Sequence, residues 1–344
     1  MRNDAIFLTG VYRSGTSIIS RVLDAHPELD VTFDTVNYFR FIIKKNIEPS
    51  NYIDIVASTA ERLEKRINKK LDIKKIIQKI ESANELSHRI IYSEIMNNYF
   101  SYSGKKWGEK TLMEWTNIPL FIEFFPKGKV IHIIRDPRDV LVSYKKMTIE
   151  TGKKYLDSIF ANMHSFDFAL QYSSELPKER YLVLKYEDFI RDKKSTIQFM
   201  CEYLEIEFDN QMLNVEKYKD AVGQPFVLKD HSSFPNSEGP PLDRWKDHID
   251  LFELELIEAL LAKQMRSFNY QLSENFIKSN LFSLFSLLDE DELIKERLIN
   301  YLISNHGVES FPSDPTDSNN WAGDLLVRGK GAAALYGKRE KKYS

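Results

Sequence analysis

Apolar residues along this chain fall into short continuous runs, separated by stretches where they recur every three or four positions. Ala5-Ile6-Phe7-Leu8-Thr9, closed by Gly10, has the length and composition of a strand buried on both faces. Lys129-Val130-Ile131-His132-Ile133-Ile134 and Tyr181-Leu182-Val183-Leu184-Lys185 predict two more. Ile18, Ile19, Val22 and Leu23 make a helical stripe over 17–25, which His26-Pro27 ends. Helical spacing also covers 138–149, 154–175, 193–204 and 250–266. Residues 38–103 are largely helical by period and interrupted by Pro49. Strands separated by long helical segments predict an α/β fold with a parallel sheet and crossover helices.

The pattern changes at 221–244, where Gly223, Pro225, Pro235, Gly239, Pro240 and Pro241 mark a long loop of the functional or disordered kind. Helical spacing returns over 273–305. From Pro312 onward Asp, Ser, Asn, Gly and Lys dominate. The division predicted is one domain over 1–270, a helical extension over 271–311 and a disordered tail over 312–344.

Composition narrows the function. At 344 residues and 42% apolar, the chain can bury a full core. Its 48 basic and 51 acidic residues leave a net charge of −3, so it carries no strong field for a nucleic acid or an anionic membrane. A lone cysteine, Cys201, excludes an internal disulfide and sits in the apolar run of Phe199-Met200-Cys201-Glu202-Tyr203-Leu204, as a small buried hydrophobe would. The first apolar run is too short for a signal-peptide core, and no 18-residue apolar stretch follows. A soluble, cytoplasmic protein without an integral membrane segment is therefore expected.

Two segments carry chemistry. Gly10-Val11-Tyr12-Arg13-Ser14-Gly15-Thr16-Ser17 follows a predicted strand and opens a helix, so its amides and the helix N-terminus suit a phosphate-like dianion. The spacing is that of a nucleotide P-loop, but Thr16 stands where the lysine belongs and the cation has moved to Arg13. Such a loop loses the lysine contact to a terminal phosphate and can clamp a phosphosulfate bidentately. The second segment is Arg135-Asp136-Pro137-Arg138-Asp139-Val140-Leu141-Val142-Ser143. Asp136 suits the N-cap, Pro137 the first helical position and Asp139 the first turn. Arg135 then leaves the carboxyl end of a strand, and Ser143 lies about two turns along the helix, so both can converge on one phosphate.

Together these motifs resemble the superfamily of sulfotransferases that use 3′-phosphoadenosine 5′-phosphosulfate, especially its bacterial and tyrosylprotein-sulfotransferase-like branch. The resemblance implies a P-loop-like three-layer sandwich with a central parallel sheet flanked by helices. It implies that Arg13, Ser14, Gly15, Thr16 and Ser17 hold the 5′-phosphosulfate, and Arg135 and Ser143 the 3′-phosphate. Leu184-Lys185-Tyr186-Glu187-Asp188 resembles the segment whose tyrosine approaches the adenine, which falls on Tyr186. Arg244-Trp245-Lys246 resembles the segment that closes over the nucleotide, through Arg244 and Lys246. Asp24-Ala25-His26-Pro27 and Gly108-Glu109-Lys110-Thr111 match the same branch. The resemblance runs over about residues 5–270.

Two departures bear on the chemistry. Small-molecule members carry a histidine base just after a Lys-Thr pair, whereas Leu112 follows Lys110-Thr111 here. Asp34 stands where the tyrosylprotein branch has a glutamate base, which makes it the candidate, with Glu109 as competitor. Arg13 and Lys110 would stabilise the leaving phosphate oxygen. The acceptor class stays open among carbohydrate, lipid, phenol and peptide hydroxyls, or an amine, because 36–107 follows no legible pattern. Trp107, Trp115, Tyr38, Phe39 and Phe41 are expected in the core rather than in a site. A P-loop kinase and a catalytically silent nucleotide-binding protein are the alternatives.

Seven scattered histidines, no His-x-x-x-His and no Walker-type magnesium pair give no metal site in the sequence. Turnover is accordingly expected to persist in excess chelator. Loss restored by magnesium would favour phosphoryl transfer instead.

Overall fold

A computed structural model describes residues 4–147, 154–220, 223–226, 240–274, 286, 288–289 and 291–304. The predicted tail over 312–344 and most of the glycine- and proline-rich loop lie outside the described residues.

The first predicted strand is β1, Ile6–Gly10, buried throughout, and it runs into α1, Thr16–Asp24. The other two predicted strands are present as β4, Lys129–Ile134, and β5, Tyr181–Lys185. Two further strands escaped the pattern: β2, Leu29–Val31, and β3, Lys106–Lys110. All pairings are parallel, in the order β2-β3-β1-β4-β5. β3 pairs Leu8 with Lys110 and sits beside β1 near the sheet's centre, yet three of its five residues are charged. No hydrophobic scan finds such a strand. It fits because Gly108 lets Ile6 come close; a Cβ there would lie 3.1 Å from the Ile6 Cβ.

Helices cover both faces, which gives the three-layer sandwich. The stretch 38–103 forms α2, Tyr38–Phe41, α3, Tyr52–Ile67, α4, Ile73–Glu81, and α5, His88–Tyr99. These pack with α6, Ile118–Phe124, over Phe7, Val130 and Trp107. On the opposite face α1 joins α10, Lys193–Leu204, around Ile6, Leu8, Ile131 and Ile133. Between β5 and α10 lies the short α9, Tyr186–Arg191. Trp107, Trp115, Tyr38 and Phe39 are core residues, as expected. Cys201 is buried too, and burial pushes its thiol up to about 11, so it is an inert small side chain.

A third cluster joins α7, Pro137–Met147, α8, Asp157–Glu175, and α12, Leu251–Ser267. For α12 to begin at Leu251 the Asp250 carboxylate accepts from the Glu253 amide while the Glu253 side chain accepts from the Asp250 amide. α11, Trp245–His248, precedes it. The last described helix, α13, Glu292–Ser304, falls within the predicted helical stretch and buries Ile294 and Leu298 in this cluster. None of the described helices is long and apolar enough to cross a membrane.

Phe7 is fully buried between Phe39 at 5.4 Å and Phe121 at 5.0 Å, joining the sheet to two helices. Phe7→Ala is expected to cost about 3–5 kcal/mol in urea unfolding. A cost below about 1 kcal/mol would mean that the neighbouring rings close the cavity.

Candidate active site

β1 and β4 lie where the strand order reverses: the chain moves from β1 outward to β2 and later from β4 outward to β5. Loops leaving the carboxyl ends of two such strands diverge and leave a crevice between them. Arg13 follows β1 and Arg135 follows β4, so the two sequence motifs face each other across that crevice.

The loop after β1 depends on left-handed backbone at Arg13, φ 65°, and Gly15, φ 96°. The Ser14 hydroxyl donates to the Val11 carbonyl at 2.7 Å and closes the turn. Gly15 is required twice, by its positive φ and because a Cβ would stand 2.1 Å from the Tyr186 ring. Thr16 is the first residue of α1, and Ser17 follows it. Amides of a helix's first turn have no intrahelical acceptor.

Arg13 Nε donates to Ser143 Oγ at 3.0 Å, which joins the loop to α7. Arg135 Nη1 donates to the Arg13 carbonyl at 2.9 Å and Nη2 to the Pro241 carbonyl at 2.7 Å. Its guanidinium also lies 4.8 Å from the Tyr186 ring centroid and 3.6 Å from Asp139. Burial raises the Tyr186 hydroxyl pKa, against the pull of Arg135 and Arg13, so it remains a neutral platform. Arg244 belongs to the same group: burial lowers its pKa, as does the charge of Arg135. Lys246 stands apart, 59% exposed and 3.5 Å from Asp243.

The second group lies at the end of β3. Lys110 Nζ is 3.6 Å from Asp34 Oδ2, and both side chains are 1% exposed. Burial pulls the lysine down to about 8, opposed by Asp34. Glu109, the next residue along an extended strand, points to the other face. There it accepts from Tyr92 Oη at 2.5 Å and from the Tyr38 amide at 3.2 Å. Burial raises it to about 7 even with these donors.

Several residues that build the site were not among those the sequence assigned to it. Asp139 accepts from the amides of Asp243 and Trp245, both at 3.0 Å, and so anchors the segment carrying Arg244. Glu187 accepts from the Asp136 amide at 2.7 Å and from Tyr270 Oη at 2.8 Å. Arg138 bridges Asp136 at 2.6 Å and Glu258 at 2.7 Å. Their acidic or basic character is visible in the sequence, but their partners lie up to 120 residues away. Among the described residues no group of acidic, histidine or cysteine side chains is arranged to hold a metal.

An α/β sheet with a glycine-turned loop after its first strand and a second basic loop at the strand-order reversal has the layout in which open α/β sheets bind ligands at the carboxyl ends of their strands. The sequence model of the Sulfotransferase family matches residues 5–210. The chain belongs to that family. A 3-alpha-hydroxysteroid sulfotransferase from Cavia porcellus is 28% identical over 172 residues, and a 3-beta-hydroxysteroid sulfotransferase from the same animal is 29% identical over 170. Each match covers 42% of this chain and 58% of the relative, so the chain spans just over half the length of those proteins. Among solved structures, the sulfotransferase domain of the Synechococcus PCC 7002 olefin synthase aligns with a TM-score of 0.54 at 18% identity, covering 79% of this chain and 96% of that one. The sulfotransferase domain from the curacin biosynthetic pathway aligns with a TM-score of 0.54 at 19% identity, covering 79% and 100%. At these identities the two structures share the fold.

Glu109 makes stability depend on pH. Its folded pKa of about 7 lies above its ordinary value of 4.5, so folding favours the neutral form. Its contribution is therefore largest below pH 4.5, falls as pH rises to 7 and is flat above. The full swing is on the order of 3 kcal/mol. Unfolding free energies of wild type and Glu109→Gln, measured at about pH 5 and pH 8, should show a smaller pH difference in the variant. Equal differences would remove Glu109 as the source.

Proposed function

We propose that the chain transfers the sulfuryl group of 3′-phosphoadenosine 5′-phosphosulfate to a hydroxyl or amine, releasing 3′-phosphoadenosine 5′-phosphate. One observation carries this reading: in a chain of this family, Arg13, Ser143, Arg135 and Tyr186 from four separate elements meet across the crevice at the strand ends. The fit to a nucleotide with two anionic ends is supported by Arg135 Nε, which is buried and has no hydrogen-bond partner among the described residues. A buried guanidinium N–H left over in this way suits a phosphate oxygen.

In the reaction the bond between sulfur and the 5′-phosphate oxygen breaks, sulfur bonds to the acceptor oxygen or nitrogen, and the acceptor proton leaves. Arg13, the loop amides and Lys110 meet the charge that grows on the phosphate oxygen. Arg135 and Ser143 orient the 3′-phosphate, Tyr186 stacks the adenine, and Arg244 and Lys246 belong to the segment that closes over it. Asp34 takes the proton. Its pairing with Lys110 supports this role, because it puts a carboxylate and a cation side by side at the end of the strand next to β1. Glu109 fits less well, since both its oxygens already accept from Tyr92 and Tyr38 on the opposite face. The hydroxysteroid relatives support a hydroxyl acceptor.

The reading is tested by the mass gained by acceptors from a panel of phenols, alcohols, sugars and amines: a gain of SO₃ supports it and a gain of PO₃H replaces it. Arg13→Ala should weaken binding of 3′-phosphoadenosine 5′-phosphate by about 1.5–3 kcal/mol in calorimetry. Asp34→Asn should keep that affinity and lower kcat by about 10²-fold or more. Near-normal kcat in Asp34→Asn with loss in Glu109→Gln would exchange their roles.

A further inference from the structure

The turn that carries Asp34 is held in an unfavourable backbone shape. Asp34 has φ 57° and Asn37 has φ 49°, left-handed values at two non-glycine residues within four positions. Such conformations persist where surrounding contacts over-determine them, and they concentrate at functional sites. Three of the contacts that hold this turn come from neighbouring strand and helix side chains. Thr111 Oγ1 donates to Asn37 Oδ1 at 2.9 Å, and Glu109 accepts from the Tyr38 amide. The third comes from α3: Arg62 donates through Nη1 to the Thr35 carbonyl at 2.9 Å and through Nη2 to the Val36 carbonyl.

Arg62 is 4% exposed, and its guanidinium lies 4.3 Å from the Phe41 ring centroid. One planar fork thus grips two consecutive carbonyls immediately after Asp34, a geometry that a lysine ammonium does not reproduce. A buried cation is costly, and this one is not spent on a single ion pair. Burial and the nearby Arg66 pull its pKa down to about 9, opposed by Glu109 and Asp34. Those are the charged groups that act on it from α3, β3 and the turn, and Lys110 meets Asp34 from the other side.

We propose that Arg62 is a positioning residue for sulfuryl transfer, fixing through the Thr35 and Val36 carbonyls the turn that aims the Asp34 carboxylate at Lys110 and the acceptor. The proposal rests on Asp34 being the base. It also ties the base to α3 through the two carbonyls that Arg62 holds.

The test measures kcat and its pH profile with 3′-phosphoadenosine 5′-phosphosulfate as donor and water or 2-naphthol as acceptor, with nucleotide affinity by calorimetry. The variants are Arg62→Lys, Arg62→Met and Asp34→Asn, with Arg62→Lys also combined with Asp34→Asn. Both Arg62 variants should lower kcat, the methionine by about tenfold or more, with affinity for 3′-phosphoadenosine 5′-phosphate within about twofold. Arg62→Lys keeps the charge and loses the fork, so it should recover part of kcat and leave the acid limb in place. Arg62→Met also removes a cation near Asp34, so its acid limb should move to higher pH. In the Asp34→Asn background the effect of Arg62→Lys should shrink to about twofold or less, because both act through one carboxylate.

Wild-type kcat in both Arg62 variants, beside a large loss in Asp34→Asn, would overturn the proposal and leave the base in place. Equal losses from Arg62→Lys in both backgrounds would likewise overturn it, as a general structural role. Full kcat in Asp34→Asn would remove the base and the proposal together. If Arg62→Met does not fold, Arg62→Lys and its combination with Asp34→Asn decide the question alone.

Discussion

The guanidinium of Arg135 is the junction on which the site's geometry depends. It leaves β4, binds the carbonyl of Arg13 in the loop after β1, lies against the Tyr186 ring after β5 and reaches the Pro241 carbonyl. Segments that are remote in sequence meet on one planar group with a fixed fork of donors. A flexible lysine would give one point of attachment and leave their mutual orientation loose. Asp139 completes the arrangement from the first turn of α7, 3.6 Å from that guanidinium, by accepting two amides of the segment that follows Pro241.

A cost accompanies this precision. Asp34, Glu109, Lys110, Arg62, Arg138, Asp136 and Glu258 are all buried. Ionised groups withdrawn from water are stabilised only in part by their partners, and an apolar core of equal volume is often more stable. The shifts record the strain: Glu109 is raised to about 7 and Lys110 lowered to about 8, each chiefly by burial. What the molecule gains is placement. A carboxylate and an ammonium held close together in a site shielded from water act more strongly on a reacting group than the same pair on the surface.

The sheet shows the same balance between stability and chemistry. β1, β4 and β5 are apolar runs, and their burial drives the sandwich together. β3 lies next to β1, where an apolar run would be equally favourable, yet it carries Lys106, Glu109 and Lys110. Alternation along the strand sends Glu109 to the aromatic face and Lys110 to the face of α1, so adjacent residues serve the turn from two sides.

Local sequence determined the strand–loop–helix unit of Gly10–Ser17, the strand and helix around Arg135, the buried aromatic core and the absence of a disulfide. Those features follow from short-range pattern: apolar runs, glycine where φ is positive, proline and aspartate at a helix start. Tertiary structure alone decided that Arg13 meets Ser143, 130 residues away, and that β3 is a strand at all. It decided that Lys246 faces solvent while Arg244 joins the group around Arg135 and Tyr186. It also decided that Arg62 grips the turn of Asp34. Each of those depends on the register of a parallel sheet, whose neighbours are brought together by crossover helices rather than by adjacency in the chain. A strand whose polar residues are satisfied by partners so far away carries no periodic signal of its own.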